Sequence, residues 1–265
     1  MCPSAGTGLA GKRIGVVSNV HDFRFNEAFC HGLRERVRAH EITVHWTPEL
    51  GDSTSSLGFG RKLVSLGMDG VVALGFKDAA LPFYHALREG VDLVADIGLD
   101  DLPILPVVQT DNFAHSRAAA LLLARAGYRH VLVAGYYPAE NARHRGFLSG
   151  ISDGAVRADY VCLSDPGAMS ALDRFFHAFS GTSAVFSQDY ATNYVLASKF
   201  LQHRVEVRAD NFLVYDAEDA HFEHQALPPV RAIAPSLKEI ARRLADKLLA
   251  KWRTGRYPEP LFEKI

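Results

Sequence analysis

Hydrophobic positions along the chain keep two alternating rhythms. Ile14-Gly15-Val16-Val17 is a short apolar run, the mark of a buried strand. Phe25, Phe29, Leu33 and Val37 then recur every four residues, which sets them on one helical face. Ile42, Val44 and Trp46 alternate with polar residues as a second strand. A helical stretch around Leu63–Leu66 leads into Gly70-Val71-Val72-Ala73-Leu74. Ala79 to Arg88 reads as helix, Val91 to Ala95 as strand, and Ile104 to Val108 as the next apolar run. An Ala/Leu-rich helix from about Ala114 to Ala126 stops at Gly127, a residue suited to a left-handed cap.

The second half repeats the rhythm. Strands are expected at Val131–Ala134, Tyr160–Leu163, Ala184–Phe186 and Phe212–Tyr215, and a further run stands at Val230–Ile233. Helices are expected at about Asn141–Ile151, Met169–Phe179, Ala191–Leu201 and Ser236–Trp252. Strands that alternate with helices need right-handed crossovers and give parallel sheets. There are too many strands for one comfortable sheet. The expected fold is therefore α/β, with two doubly wound, Rossmann-like lobes and a cleft between them.

Charge narrows the functions open to such a fold. The 265 residues carry 29 Lys+Arg against 30 Asp+Glu, so the chain by itself lacks the basic surface that grips nucleic acid. No run approaches the ~18 apolar residues of a membrane helix. Cys2, Cys30 and Cys162 are an odd, scattered set, which suits a reducing compartment without disulfides. Residues 1–11 hold no apolar run of the signal-peptide kind, so a cytoplasmic location is expected.

Several motifs dissolve on inspection. Gly6 to Lys12 fits G-x-G-x-x-G, but the glycines precede the first strand, whereas phosphate loops follow one. His221 and His224 stand three apart with no further ligand at metal spacing. A G-x-S-x-G elbow is absent, and with it the nucleophile of an α/β-hydrolase. Neither a cofactor, a metal nor a catalytic role is expected.

The C-terminal ends of strands are more informative, because ligands of open α/β sheets bind there. Those positions supply Asn19, Asp22, Phe23 and Phe25 after the first strand, Phe76 after the third, and Asp111 and Asn112 after the Val107-Val108 run. Tyr136, Tyr137, Arg143, Phe186, Gln188, Asp189 and Asp216 follow in the second half. Carboxylates and amides bind hydroxyl groups, and aromatic faces pack against the C–H face of a sugar. The same Asp residues also suit plain helix N-caps.

In this order the motifs resemble the effector-binding core of the lac/galactose repressor family, which has the class I periplasmic-binding-protein fold. The resemblance runs from Lys12 to the C-terminus. It rests on Lys12-Arg13-Ile14-Gly15-Val16-Val17, Asp69-Gly70-Val71-Val72, Val107 to Asn112, Ala126 to Val131, Arg143-His144-Arg145-Gly146-Phe147, Phe186 to Asp189, Val214-Tyr215-Asp216 and Pro228-Pro229-Val230. It implies effector contacts at Arg143, Gln188 or Asp189, Asp216 and the loop after strand one. The chain departs from the family pattern at Gln188 (usually Asn), Val214 (usually Gly), Pro235, and Tyr136-Tyr137 (commonly Gly-Pro).

The resemblance further implies a homodimer that senses a small, sugar-like effector and closes its lobes around it. Operator DNA would be reached only through a head domain. Such a head takes roughly 50–60 residues, and eleven precede Lys12, so two expectations stand: a head outside this sequence, on its N- or C-terminal side, or a sensor that naturally has none. The alternative is a solute-binding protein of a sugar transporter. The expected organisation is a lead at 1–11, one lobe of 12–126 plus 233–254, and a second of 127–232 plus 255–265. A multi-crossover hinge would lie near residues 127, 233 and 255.

Overall fold

A computed structural model describes residues 11–18, 23–38, 40–46, 61, 64–75, 88, 90–96, 105–151, 154–215, 228, 230–233 and 236–265. The strands are β1 (Arg13–Ser18), β2 (Glu41–Trp46), β3 (Gly70–Leu74), β4 (Asp92–Ala95), β5 (Val107–Gln109), β6 (His130–Gly135), β7 (Arg157–Cys162), β8 (Ser183–Ser187), β9 (Phe212–Val214), β10 (Arg231–Ala232) and β11 (Phe262–Lys264). The helices bounded within the described residues are α1 (Phe23–Arg36), α2 (Asn112–Arg125), α3 (Ala142–Gly150), α4 (Ala168–His177), α5 (Tyr190–Gln202) and α6 (Leu237–Thr254). Two parallel sheets result, ordered β11-β5-β4-β3-β1-β2 and β10-β9-β8-β6-β7.

The chain divides into two compact units, 1–110 with 236–265, and 111–235. In the first, Ile14, Val16, Val71, Val72 and Val94 are fully buried in the six-stranded sheet. Leu33 of α1, Val37 just past its end, and Leu244 and Leu248 of α6 belong to the same unit's core. Ion pairs join the two helices: Arg36 with Asp246 at 2.8 Å and Arg242 with Glu35 at 2.5 Å. Trp252 Nε1–H of α6 donates to Asp92 Oδ2 on β4 at 2.9 Å.

The second unit shows directly how a period of two builds a doubly wound sheet. Val131, Val133, Ala184, Phe186 and Leu213 point to one face and pack with Ala119, Ala120 and Leu123 of α2 and Phe147 of α3. Leu132, Ala134, Val185, Phe212 and Val214 point to the other and pack with Leu172, Phe175 and Phe176 of α4 and Leu196 and Phe200 of α5. Gly127 ends α2 at φ +88°, the left-handed conformation that glycine adopts without a Cβ clash.

Two parts of the expected partition are corrected. Helix α2 belongs to the second unit, not the first. The reason is close packing on α3: a Cβ at Gly146 would collide with the Phe113 carbonyl, and one at Gly150 would stand 2.7 Å from Arg117 O. The C-terminal tail belongs to the first unit, not the second, because β11 pairs in parallel with β5, Phe262 opposite Val107 and Lys264 opposite Gln109. Lys247 Nζ of α6 holds the tail by donating to Pro260 O at 2.5 Å. The chain accordingly passes between units near residues 110 and 235, rather than near 127, 233 and 255.

Candidate functional site

At the C-terminal end of the second sheet, the alternation that builds the core also builds a polar cluster. Phe186 faces the α2/α3 layer, so Gln188, two residues on, faces it too. Leu213 faces that layer, and so does Tyr215. Helix α3 begins there with Asn141 as its N-cap, whose Oδ1 accepts from His144 N–H at 2.9 Å. Arg143 lies in the first turn.

Arg143 is the hub. Its Nε–H donates to Asn112 Oδ1 at 3.0 Å, and its Nη1 donates to the Gln188 carbonyl. Its guanidinium lies 4.0 Å from the Tyr215 ring centroid and 5.3 Å from that of Tyr137. Tyr215 O–H donates to the same Asn112 oxygen at 2.7 Å. Burial pushes the Tyr215 phenol well above its ordinary pKa, against the opposing pull of the Arg143 charge, so it stays a neutral donor. Asn141 Nδ2 donates to Pro138 O at 2.6 Å and reaches Gln188 Oε1 at 3.4 Å. Gln188 is fully buried, and its Nε2 has no hydrogen-bond partner among the described residues.

The margin of the cluster is a latch between loops. Asp189 Oδ1 accepts from Thr192 N–H at 2.9 Å as the cap of α5, while Oδ2 accepts from Tyr136 N–H at 3.0 Å. Tyr160 of β7 donates to the Tyr137 carbonyl, and its ring stacks on His144 at 4.2 Å. Burial raises the Tyr160 pKa to about 12, assisted by the neighbouring Cys162.

No family model matches the chain, and no curated protein sequence does. Solved structures match over nearly its whole length. The trehalose repressor from Escherichia coli superposes with a TM-score of 0.73 at 13% identity, covering 96% of this chain and 97% of that one. An ABC transporter periplasmic solute-binding protein from Actinobacillus succinogenes, with bound D-allose, also gives 0.73 at 13% identity, covering 96% and 95%. The fold is periplasmic-binding-protein-like. A LacI-family transcriptional regulator from Enterococcus faecium, with bound ribose, has it as well, at a TM-score of 0.68 and 18% identity over 96% and 94%. These neighbours are regulators and a binding protein.

Within the periplasmic-binding-protein-like fold, the structure sorts the expected site residues. Arg143 and Gln188 meet. Asp189 and Tyr136 meet beside them, with Tyr136 46% exposed and both Asp189 oxygens occupied. Asp111 caps α2, accepting from Ala114 N–H at 3.0 Å. Phe186 is corrected: it is a core residue, fully buried against Phe147 with ring centroids 5.3 Å apart. Phe25 is half-buried on α1 in the first unit. Asn19, Asp22, Phe76 and Asp216 lie outside the described residues, as do His221, His224 and the side chain of Phe23.

Strand ends point to Asn112, which binds Arg143, as well as to Asp111, which caps α2, and to Tyr137 beside Tyr136; Asn141 and Tyr215 are not among the sequence-expected contacts. Parity along β8 and β9 is the signal that finds Tyr215: it shares a face with Leu213, as Gln188 does with Phe186.

In the first unit a second strand end is notable. Asp96, just past β4, accepts from Gly75 N–H at 2.9 Å, and burial raises its carboxyl pKa to about 7. Elsewhere, a depression of about 380 Å³ is lined by Asp173, Arg174, His177, Ala178 and His203, and its Asp173 Oδ1 accepts from Lys199 Nζ at 2.5 Å and lies 2.9 Å from His203 Nε2. Among the described residues no group of His, Cys, Asp and Glu is placed to hold a metal ion.

Proposed function

We propose that this chain is the ligand-sensing domain of a bacterial transcription regulator of the lac/galactose repressor kind. A small polar effector, a sugar or related metabolite, binds at the Arg143 cluster. The observation that carries this reading is the cluster itself: a guanidinium held by Asn112 and the Gln188 carbonyl, flanked by Tyr137 and Tyr215, with donors left over. Such a fork on aromatic faces is a pre-organised receptor for oxygen-rich molecules. The role is binding, not catalysis. Structural neighbours that carry ribose and allose support the effector class. Asp216 is proposed as a further contact, accepting from effector hydroxyls.

On this reading the protein is a cytoplasmic homodimer, and operator DNA is contacted by a head domain outside these residues. The allose-binding neighbour favours a second reading, a solute receptor of a transporter. Sedimentation equilibrium of the 29.1 kDa chain separates the two. A regulator core is expected to sediment at twice the chain mass at micromolar concentration. A strict monomer contradicts the regulator reading and favours the receptor. The same samples should show no tight, salt-sensitive DNA binding, because the net charge of −1 leaves few counterions to release.

A further inference from the structure

We infer that the effector carries a carboxylate, as a sugar acid or comparable hydroxy acid does, and that Arg143 and Gln188 together receive it. This deepens the proposed function and rests on it. Three observations converge on an acceptor-rich, anionic ligand.

The first is a charge without a carboxylate partner among the described residues. Arg143 has five N–H groups to place. One goes to Asn112 and one to the Gln188 carbonyl, both neutral acceptors. No carboxylate among the described residues forms an ion pair with it. Asp189, beside it, spends both oxygens on backbone N–H groups, and Asp111 caps α2. Rings on its faces leave the edge of the fork as the route to a ligand.

The second is a buried donor whose identity is fixed by its neighbours. The N-cap bond from His144 N–H requires an oxygen at Asn141 Oδ1, so the other Asn141 atom is Nδ2, a donor. That donor points at Gln188, so the Gln188 atom facing it is Oε1. The end left over is Nε2, a fully buried NH₂ with no acceptor among the described residues. A buried unpaired donor is costly unless something takes it up. It belongs to the residue whose main-chain carbonyl accepts from Arg143.

The third is the local field. Asn112 opens α2, Arg143 lies in the first turn of α3, and Gln188 immediately precedes the cap of α5. Three helix N-termini, each carrying partial positive charge, meet at the cluster. A planar carboxylate uses guanidinium and amide N–H donors with a full negative charge, whereas a neutral hydroxyl accepts without one.

Calorimetric titration of the 265-residue chain with matched pairs tests this: D-glucose against D-gluconate and D-glucuronate, D-galactose against D-galactonate, and D-glucose 6-phosphate. At least one acid should bind about tenfold or more tightly than its neutral partner, the worth of one charge-assisted bond. Gln188→Met, which keeps the packing and removes the donor, should weaken the acid about tenfold and leave the thermal midpoint of the free protein nearly unchanged. Gln188→Glu should abolish acid binding by placing a like charge at the site. If neutral sugars bind as well as their acids, the carboxylate inference is overturned while the sensor reading stands. Binding by the phosphate ester alone overturns it too. If none of the probes binds, the inference fails, and the sensor reading is then judged separately by the oligomeric state.

Discussion

Single side chains in this protein serve two masters. Arg143 ties α2, α3 and the β8 end together while keeping unused donors, and Asp189 fastens two loops with one carboxylate. Asp96 is the clearest case of a side chain held at a cost. Its folded pKa of about 7 lies above the unfolded value near 3.8, so the folded state holds the proton more tightly. Its contribution to stability is therefore fullest below about pH 4 and is lost as pH rises through 7. Asp96→Asn keeps an acceptor for Gly75 and removes the charge. It should raise the thermal midpoint more at pH 8 than at pH 5. An equal effect at both pH values would mean that the carboxyl titrates normally in the folded state.

Helices and strands were legible because their rhythms are local. The four-residue spacing of Phe29, Leu33 and Val37 becomes a buried face along α1 and just past its end, and the alternation at Val131–Ala134 becomes the two faces of β6. Which helix joins which sheet was less legible, since that depends on partners distant in sequence. Gly146 and Gly150, four apart on α3, were the readable sign that a neighbouring helix lies close, and α2 is that neighbour. The tail strand Phe262–Lys264 offered too short a pattern to read, and only its pairing with β5 defines it. Gly146→Val should force α2 from α3 and cost about 1–3 kcal/mol, as overpacking does. In urea titrations its midpoint should fall with the slope unchanged. A variant as stable as the wild type would show that the two helices do not pack this tightly.

At the scale of the whole molecule, two parallel sheets of different strand number share one chain that passes between them near residues 110 and 235. The fold class was legible from alternation alone, and solved structures of the same fold bear it out at identities of 18% or less. The candidate site was partly legible. Strand ends gave Asn112, Tyr137, Arg143 and Gln188, while Asn141 and Tyr215 needed the facing of each strand and helix to be known. The central claim is that this cluster receives the effector. Its most direct test is heteronuclear NMR of the Arg143 Nε–H and the Gln188 side-chain amide during titration with D-ribose, D-allose and D-gluconate. The account predicts saturable shifts of both resonances with one binding curve. Saturable binding that leaves both resonances unmoved would contradict it.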